Sequence, residues 1–263
     1  MDGEIRTWHY GLIARWWAEF NHGGSDIEFF QNTIRRYGQP ALDAGCGTGR
    51  LLLPFLHSGL DVDGSDVSPD MIAWCNKQAE AEGLAVNLYT QAMHELDLPR
   101  RYRTIVLCGV FGLGGNRSTD LEGLRRIHSH LRPNGRLVMD HHLENDEQNF
   151  ISTNIKNSEL PAPWPESGDR RATSAGDELE LRTRLLEVDA DERKVVRQIS
   201  VRRFDNGLQT ASDTHSIVIC VYSIEEVEAM LMQAGFCQVK VNRTLEVQDS
   251  TLDIERVVLE ESA

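Results

Sequence analysis

The chain has 263 residues, of which 40% are hydrophobic, so it can bury the core of one α/β domain with an insertion, or of two small domains. Its 41 acidic residues outnumber its 27 basic residues. The resulting formal charge of −14, without a concentrated run of Lys and Arg, predicts a small-molecule partner and no nucleic acid. No apolar run reaches the length of a membrane span, so we expect no membrane partner.

The cysteines and the first residues bear on the compartment. Five scattered cysteines form no C-x-x-C pair, so they indicate neither a disulfide framework nor a zinc site. The N-terminus lacks a basic region followed by an apolar stretch, which disfavours a signal peptide. We therefore expect a cytoplasmic protein with reduced thiols.

Two helices are predicted before the first strand. Within residues 7–21 the apolar and aromatic side chains recur at helical spacing, namely Ile13, Trp16, Trp17 and Phe20. A second helix is predicted from about Asp26 to Arg36, because Gly38 and Pro40 end it.

Residues 41–50 read Ala-Leu-Asp-Ala-Gly-Cys-Gly-Thr-Gly-Arg, which predicts a strand, a tight turn and a helix. Glycines at such a turn let the backbone approach a ligand closely. A dinucleotide fingerprint reads G-x-G-x-x-G, whereas here the third glycine comes one residue early. This spacing disfavours a pyrophosphate, and Asp43 suits a ligand that carries an ammonium group.

The second strand is predicted to end near Asp66. Asp66 follows the glycine turn by about 20 residues, the separation at which an acidic residue binds the ribose hydroxyls of a nucleoside. Asp63 is an alternative by composition. Asp66 is favoured because Ser68 and Pro69 then begin a helix as its N-cap and first residue.

Three further strands and one helix complete a regular α/β pattern. Residues 85–90 and 102–109 predict the third and fourth strands, and residues 118–131 predict a helix that leads into a fifth strand ending at Asp140. In such sheets ligands bind beyond the carboxyl ends of the strands. We therefore expect Cys108 and Gly109 to face the ligand.

Residues 141–177 break the pattern, and the proline-rich run 160–168 within them cannot form a regular element. Alternating runs over 178–188, 195–204 and 210–222, with a hairpin signal at Asp205-Asn206-Gly207, predict an inserted antiparallel meander. Trp164, Arg170 and Arg171 are candidate contacts for the substrate in this insertion. A capping box at Ser223 begins the last helix, and closing strands are predicted over 237–241 and 252–259.

The run from Leu42 to Gly49 resembles the first motif of the class I S-adenosylmethionine (SAM)-dependent methyltransferases. Gly64-Ser65-Asp66-Val67-Ser68-Pro69-Asp70-Met71 is similar to the second motif of that family. The resemblance covers roughly residues 8–140 and 223–260. It implies a doubly wound, Rossmann-like, mostly parallel seven-stranded sheet and SAM as the cofactor. The implied activity is methyl transfer to an O or N nucleophile of a small molecule.

The resemblance also implies which residues contact SAM. The positions that match are Tyr10, Arg15, Trp16, Asp43, Gly45, Cys46, Gly47, Gly49, Asp66, Val67, Met71, Gln91, Ala92, Met93, Cys108 and Gly109. Many relatives carry an acidic residue where Gln91 stands, in contact with the adenine amino group. We expect the amide of Gln91 to accept that hydrogen bond through its carbonyl oxygen.

Four segments follow from these assignments. Residues 1–40 are predicted to cap the cofactor site, 41–145 to form the SAM-binding core, 146–222 to hold the insertion, and 223–263 to complete the core. The layout resembles small-molecule methyltransferases, including those acting on amino sugars of antibiotic pathways. In those proteins the insertion covers the substrate or forms a dimer, so a homodimer is a further expectation.

His141 and His142 are the candidate catalytic bases, because they follow the fifth strand at the acceptor side of the fold. His94, His9 and His215 are further options. Asp140 and Glu144 could join the two histidines around a metal, but adjacent strand residues point in opposite directions, so no metal is expected.

Two other functions stay open at this point. The chain could bind SAM without methylating, as a pathway subunit or in another reaction. It could also be a nucleotide- or NAD-binding oxidoreductase, although the early third glycine disfavours that function.

Overall fold

The computed structural model describes residues 9–143, 160–246 and 255–262. The helices are α1 (Gly11–Phe20), α2 (Asp26–Tyr37), α3 (Leu52–His57), α4 (Pro69–Ala81), α5 (Arg117–His130) and α6 (Ile224–Ala234). The strands are β1 (Ala41–Ala44), β2 (Val62–Asp66), β3 (Leu88–Thr90), β4 (Tyr102–Leu107), β5 (Leu131–Leu143), β6 (Asp169–Ala172), β7 (Glu178–Asp189), β8 (Lys194–Asp205), β9 (Leu208–Cys220), β10 (Gln238–Glu246) and β11 (Glu255–Ser262).

The main sheet has the order β10-β11-β5-β4-β1-β2-β3. The five strands from β5 to β3 are parallel, and β11 is antiparallel to both of its neighbours. The chain proceeds outward from β1 to β3 on one side and from β4 to β5 on the other. The strand order therefore reverses between β1 and β4, which is where doubly wound sheets bind ligands. The α/β sheet predicted from the sequence is confirmed.

The insertion forms a separate four-stranded antiparallel sheet with the order β6-β7-β8-β9. The meander is confirmed, and Asn206 and Gly207 take the positive φ angles of 51° and 81° that its hairpin turn requires. The meander has one strand more than the three predicted runs, because β6 precedes them. That strand adds to the edge of β7, and backbone pairing does not depend on the apolar alternation that the sequence lacks there.

Helix α1 lies between the inserted sheet and the main domain. Ile13 and Trp16 are buried against Leu179, Val201 and Ile217 of the inserted sheet. Burying each such side chain contributes roughly 1.5–3 kcal/mol, so this cluster holds α1 on the insertion.

Two carboxylates satisfy the first backbone N–H groups of α1, which have no partner within the helix. The N–H of Gly11 donates to Asp70 of α4 at 2.6 Å, and the N–H of Leu12 donates to Asp213 of β9 at 2.7 Å. The start of α1 is thus tied to the main domain and to the insertion at once. Among the described residues, no helix is long and apolar enough to cross a membrane.

Candidate active site

The glycine turn after β1 is preformed by backbone hydrogen bonds. The N–H groups of Gly45 and Cys46 donate to the carbonyl of Ser65 at 2.7 and 2.9 Å. Gly45 has a φ of 75°, and a Cβ there would come within 2.6 Å of the side chain of Val110. Only glycine therefore fits this position, which brings the backbone close to the space beyond the sheet.

Asp66 ends β2 beside this turn. Its Oδ2 accepts from the N–H of Gly47 at 2.9 Å, and its Oδ1 accepts from the N–H of Ser68 at 2.8 Å. Burial raises the pKa of Asp66, and the two backbone hydrogen bonds oppose that effect. A carboxylate has about four lone-pair sites, so each oxygen can accept one more hydrogen bond from a ligand.

Asp63, the alternative to Asp66, is buried and already has hydrogen-bond partners within the protein. It is 1% exposed, and its carboxylate accepts hydrogen bonds from the hydroxyl of Tyr102 at 2.9 Å and from the side chain of Asn87 at 3.0 Å. The geometry therefore favours Asp66 over Asp63 as the residue that faces a ligand.

A cavity of about 320 Å³ opens beside Asp66 at the carboxyl ends of β1, β2, β3 and β4. Six of the residues expected to contact the cofactor line it, namely Gly45, Asp66, Val67, Gln91, Ala92 and Met93. The sequence reasoning missed part of the wall, which includes Ser65, Leu96, Leu113, Gly114, Thr119 and Asp120. Much of this wall comes from α5 and the loop before it, where no motif marks the residues that face inward.

Asp43, at the base of the glycine turn, is 2% exposed, and its Oδ2 has no hydrogen-bond partner among the described residues. Burial raises the pKa of Asp43 to about 7, although the positive charge of Arg50 lowers it. An unpartnered buried carboxylate is costly in a folded protein. A ligand ammonium placed at the turn would offset that cost, which agrees with the role expected for Asp43.

The remaining residues predicted around the turn are closely packed. Cys46 and Met71 are buried, and the terminal carbon of Met71 is 3.7 Å from where a Cβ on Gly47 would lie. Gly49, with a φ of 96°, has no room for a Cβ because Cys75 and Leu53 pack against it.

Cys108 and Gly109 follow β4 and are both bound to Asp140 of β5. The strand was predicted to end at Asp140, but its pairing with β11 continues to Leu143, so His141 and His142 lie within β5 and not after it. The Sγ of Cys108 is 3.3 Å from one carboxylate oxygen of Asp140, and the N–H of Gly109 donates to the other at 2.6 Å. Burial raises the pKa of the Cys108 thiol well above its usual value, so it stays protonated. The next residue, Val110, lines the cavity, whereas the contact of Cys108 and Gly109 with the cofactor stays a prediction.

Arg50, which the sequence reasoning passed over, pairs with Asp26 of α2. Its two terminal nitrogens are 2.8 and 2.9 Å from the two carboxylate oxygens, and one of them also donates to Cys108 at 3.4 Å. This bidentate pair joins the glycine turn to the helices that precede it. The only signal in the sequence was the position of Arg50 directly after Gly49.

The structure does not bring Arg15 and Trp16 to the cavity, contrary to the expectation from the resemblance. The guanidinium of Arg15 donates two hydrogen bonds of 2.8 and 2.6 Å to Asp177 in the insertion. Trp16 is 2% exposed inside the apolar cluster between α1 and the inserted sheet. Charge pairing and burial thus turn both side chains toward the insertion.

Tyr10, the third residue predicted from the N-terminal segment, precedes α1. Its ring stacks on His215 with 4.7 Å between centroids. His9 lies next to them, with its Nδ1 at 3.3 Å from the Nε2 of His215. Burial and the neighbouring His215 lower the pKa of His9 to about 3, which makes it a weak base.

His141 of the predicted catalytic pair is 7% exposed, and its Nε2 lies 2.9 Å from the carbonyl of Tyr222. A carbonyl only accepts, so Nε2 carries the proton and Nδ1 is the basic atom. Burial lowers the pKa of His141. The backbone of His142 pairs with Arg256, and its side chain lies outside what the structure describes.

His94, one of the further options, does line the cavity, where its side chain is 39% exposed. Glu144, named with Asp140 as a metal ligand, lies outside the described residues. Within the ranges that the structure describes, no three His, Cys, Asp or Glu side chains are grouped to hold a metal ion.

Asp120 and Tyr222 join the cavity to the end of the insertion. The Tyr222 hydroxyl donates to Asp120 Oδ2 at 2.6 Å, and the N–H of Gly114 donates to Oδ1 at 3.1 Å. Burial raises the pKa of both side chains, so the phenol keeps its proton. Tyr222 thus holds together the cavity wall and the strand that leaves the insertion.

A family profile described as a methyltransferase domain matches residues 41–135, which run from β1 into the start of β5. A Geobacillus protein assigned as a methyltransferase is 28% identical over 141 residues, covering 51% of this chain and 57% of that protein. The chloroplastic magnesium protoporphyrin IX methyltransferase of Arabidopsis thaliana is 36% identical over 74 residues, covering 28% of this chain and 24% of that one. The chain therefore spans less than two thirds of either relative.

Solved structures share the fold over nearly the whole chain. A SAM-dependent methyltransferase from Clostridium acetobutylicum has a TM-score of 0.65 at 15% identity, covering 90% of this chain and 89% of its own. The sugar N-methyltransferase KedS8 from Streptoalloteichus has a TM-score of 0.66 at 16% identity, covering 90% and 86%. The SAM-bound amino pentose methyltransferase CalS10 from Micromonospora echinaspora has a TM-score of 0.64 at 15% identity, covering 98% and 99%.

Proposed function

We propose that this chain is a class I SAM-dependent methyltransferase that transfers a methyl group from SAM to an oxygen or nitrogen nucleophile of a small molecule. The observation that carries the proposal is Asp66. Its carboxylate is held by two backbone N–H groups at the edge of the cavity and has lone pairs left for a pair of ribose hydroxyls.

The residues present fit SAM. In the proposal Asp66 binds the ribose, and the apolar walls formed by Val67, Met93 and Leu113 enclose the base. Asp43 receives the ammonium of the methionine portion, because its buried Oδ2 has no partner among the described residues. Bound SAM supplies an electrophilic methyl group on a sulfonium centre. The protein's part is to orient the two reactants in line and to exclude water.

The identity of the methyl acceptor is a proposal that draws on the solved structures of similar fold. The sugar N-methyltransferase and the amino pentose methyltransferase described above share this fold over at least nine tenths of this chain. We therefore propose an amine or hydroxyl on a sugar-like small molecule, in secondary metabolism, as the acceptor.

A base is needed only to remove the proton of the acceptor. His142 stays a proposed base on the sequence argument, and its side chain lies outside what the structure describes. His141 would have to act through Nδ1, since its Nε2 already donates to Tyr222. His94 is the third candidate, because it lines the cavity and is partly exposed.

The insertion is proposed to cover the acceptor or to form a homodimer. Helix α1 supports the covering role, because its first residues bind Asp70 of the main domain and Asp213 of the insertion. A cytoplasmic location is also proposed, since all five cysteines are free thiols, as expected in a reducing compartment.

The test is turnover of methyl-labelled SAM with a panel of amino sugars and hydroxylated sugars, measured as label transferred to the acceptor and as formation of unlabelled S-adenosylhomocysteine (SAH). The proposal predicts SAH formation that depends on one acceptor class and is lost in Asp66→Ala. Tight binding of SAM without turnover on any acceptor would instead favour a SAM-binding protein that does not methylate.

A further inference from the structure

Two arginines lie on the face of the inserted sheet that points away from α1. Side chains alternate between the two faces of a strand, and in β7 Leu179 and Leu181 pack toward α1. Arg182 and Arg184 therefore lie on the opposite face, with about 7 Å between their positions along the strand. This opposite face, which carries Arg182 and Arg184, is the outer face of the insertion.

Trp164 lies over both of these arginines. The centroid of its ring is 5.9 Å from the guanidinium carbon of Arg182 and 4.7 Å from that of Arg184. The arginines come from the strand and the indole comes from the loop above it. Two positive charges are thus held side by side beneath one aromatic ring, which attracts cations through its face.

The loop that carries Trp164 is attached to the sheet near both of its ends. The N–H of Ala162 donates to the carbonyl of Leu185 at 2.8 Å, and the N–H of Gly168 donates to Oε1 of Glu180 at 2.8 Å. Glu180 shares the outer face, but its carboxylate forms no ion pair with an arginine among the described residues. The loop therefore fixes the ring in place without neutralising the charges beneath it.

Arg182 is a buried cation without a counter-ion. It is 9% exposed, and its Nε has no hydrogen-bond partner among the described residues. Arg184 uses its Nε to donate to the amide oxygen of Gln198 at 2.8 Å, which is a neutral partner. In the part of the chain that the structure describes, neither arginine is paired with a carboxylate. A buried charge of this kind is costly unless a group of opposite sign compensates it.

Other arginines of the insertion do have such partners. Arg170 pairs with Glu178 at 2.6 Å, and Arg171 pairs with Asp169 at 2.6 Å. The chain as a whole has 41 acidic and 27 basic residues, so carboxylates are in excess. The absence of a described carboxylate beside Arg182 is therefore a local property of the outer face, and it leaves room for an anion from solution.

We infer that Arg182 and Arg184, beneath Trp164, bind the phosphate group of a small molecule. A phosphate monoester carries close to two negative charges at neutral pH, which match the two arginines. Its oxygens can accept from two guanidinium groups at once, whereas the single charge and two oxygens of a carboxylate are satisfied by one. The inference does not rest on the proposed function, because neither arginine lines the cavity beside Asp66.

Phosphorus NMR of inorganic phosphate measures this binding, in a titration at constant ionic strength set with sodium chloride. The parent protein should broaden the phosphate signal in a saturable way, with and without saturating SAH. Arg182→Gln and Arg184→Gln should each raise the dissociation constant about tenfold or more, because each variant removes a charged hydrogen-bond donor.

Arg197→Gln is the matched control. Arg197 of β8 pairs with Ile217, which packs toward α1, so the variant removes the same charge from the other face of the sheet. Its affinity for phosphate should equal that of the parent. Thermal melting checks that each variant folds, and Arg184→Gln tests the same site at a more exposed position if Arg182→Gln does not fold.

The inference is overturned if the parent does not bind phosphate, if binding survives in both outer-face variants, or if Arg197→Gln weakens it equally. Acetate that displaces phosphate at equal concentration would show a carboxylate site and overturn the choice of ligand. Displacement by SAH would place the phosphate in the cofactor cavity and would also overturn the inference. The proposed methyl transfer has its own test, so the two can fail separately.

Discussion

Asp43→Asn tests the role of the glycine turn through stability. In the parent, burial raises the pKa of Asp43 from 3.8 to about 7. The folded state therefore holds a proton that the unfolded state releases between these values. That stability is fully present below the usual pKa and is lost as pH rises through about 7. The amide of Asp43→Asn does not titrate, so it escapes this loss.

The magnitude follows from 1.36 kcal/mol for each tenfold change in proton affinity. For a pKa raised to about 7, the parent should lose roughly 2–3 kcal/mol of unfolding free energy relative to Asp43→Asn between pH 5 and pH 8. Urea unfolding at the two pH values measures this difference.

Ligand binding should act in the opposite direction. In the proposal the carboxylate of Asp43 receives the ammonium of SAM or SAH, so Asp43→Asn should bind SAH more weakly although it escapes the loss of stability between pH 5 and pH 8. Parallel curves of unfolding free energy against pH for the parent and Asp43→Asn would refute the reasoning about burial. Unchanged SAH affinity would refute the assigned ligand contact.

Asp66→Ala should weaken SAH binding by about a hundredfold, because the two proposed hydrogen bonds from the ribose hydroxyls to the carboxylate are lost. Calorimetry measures this affinity, with Asp61→Ala as the control. His142→Ala should slow turnover without changing SAH affinity, and unchanged rates in both His142→Ala and His141→Ala would remove the pair as bases. Asp177→Asn should lower the unfolding free energy by about 1–3 kcal/mol while SAH affinity stays the same. Arg15 holds the pKa of Asp177 well below its usual range, so the contribution of this carboxylate is present at neutral pH and is lost as pH falls. An equal pH dependence of stability in the parent and Asp177→Asn below pH 5 would contradict that sign.

The sequence predicted the elements that carry their own local signals. The glycines after β1, the Ser68-Pro69 start of α4 and the capping box at Ser223 each fix backbone geometry through residues close in the chain. The structure has all three in place, with Ser68 and Ser223 accepting from backbone N–H groups of their helices. Strand β4 could also be predicted, because it ends in the apolar run Ile105-Val106-Leu107.

Roles that depend on distant partners could not be read from the chain. Arg15 looked like a cofactor contact until Asp177, 162 residues away, proved to be its partner. The hydrogen bond that Asp63 accepts from the Tyr102 hydroxyl, on another strand, is likewise not visible in the sequence. The orientation of the Gln91 amide depends on the backbone of Asp97, which composition does not reveal.

The division into segments at residues 40, 145 and 222 remains a prediction, as do the catalytic histidines. The insertion itself is a separate sheet, but its edges are linked to the main domain by α1 and by Tyr222. Those links are side-chain contacts, and a boundary drawn from composition does not show them.

The most direct test of the account is a thermal shift of the purified protein with SAM, SAH and NAD. A ligand that binds only the folded state raises the melting temperature by mass action, by an amount that corresponds to about 2.7 kcal/mol at a hundred times its dissociation constant. The account predicts a shift with both sulfur nucleosides and none with NAD. A shift with NAD alone, or with none of the three, would contradict the assignment of the cavity to SAM.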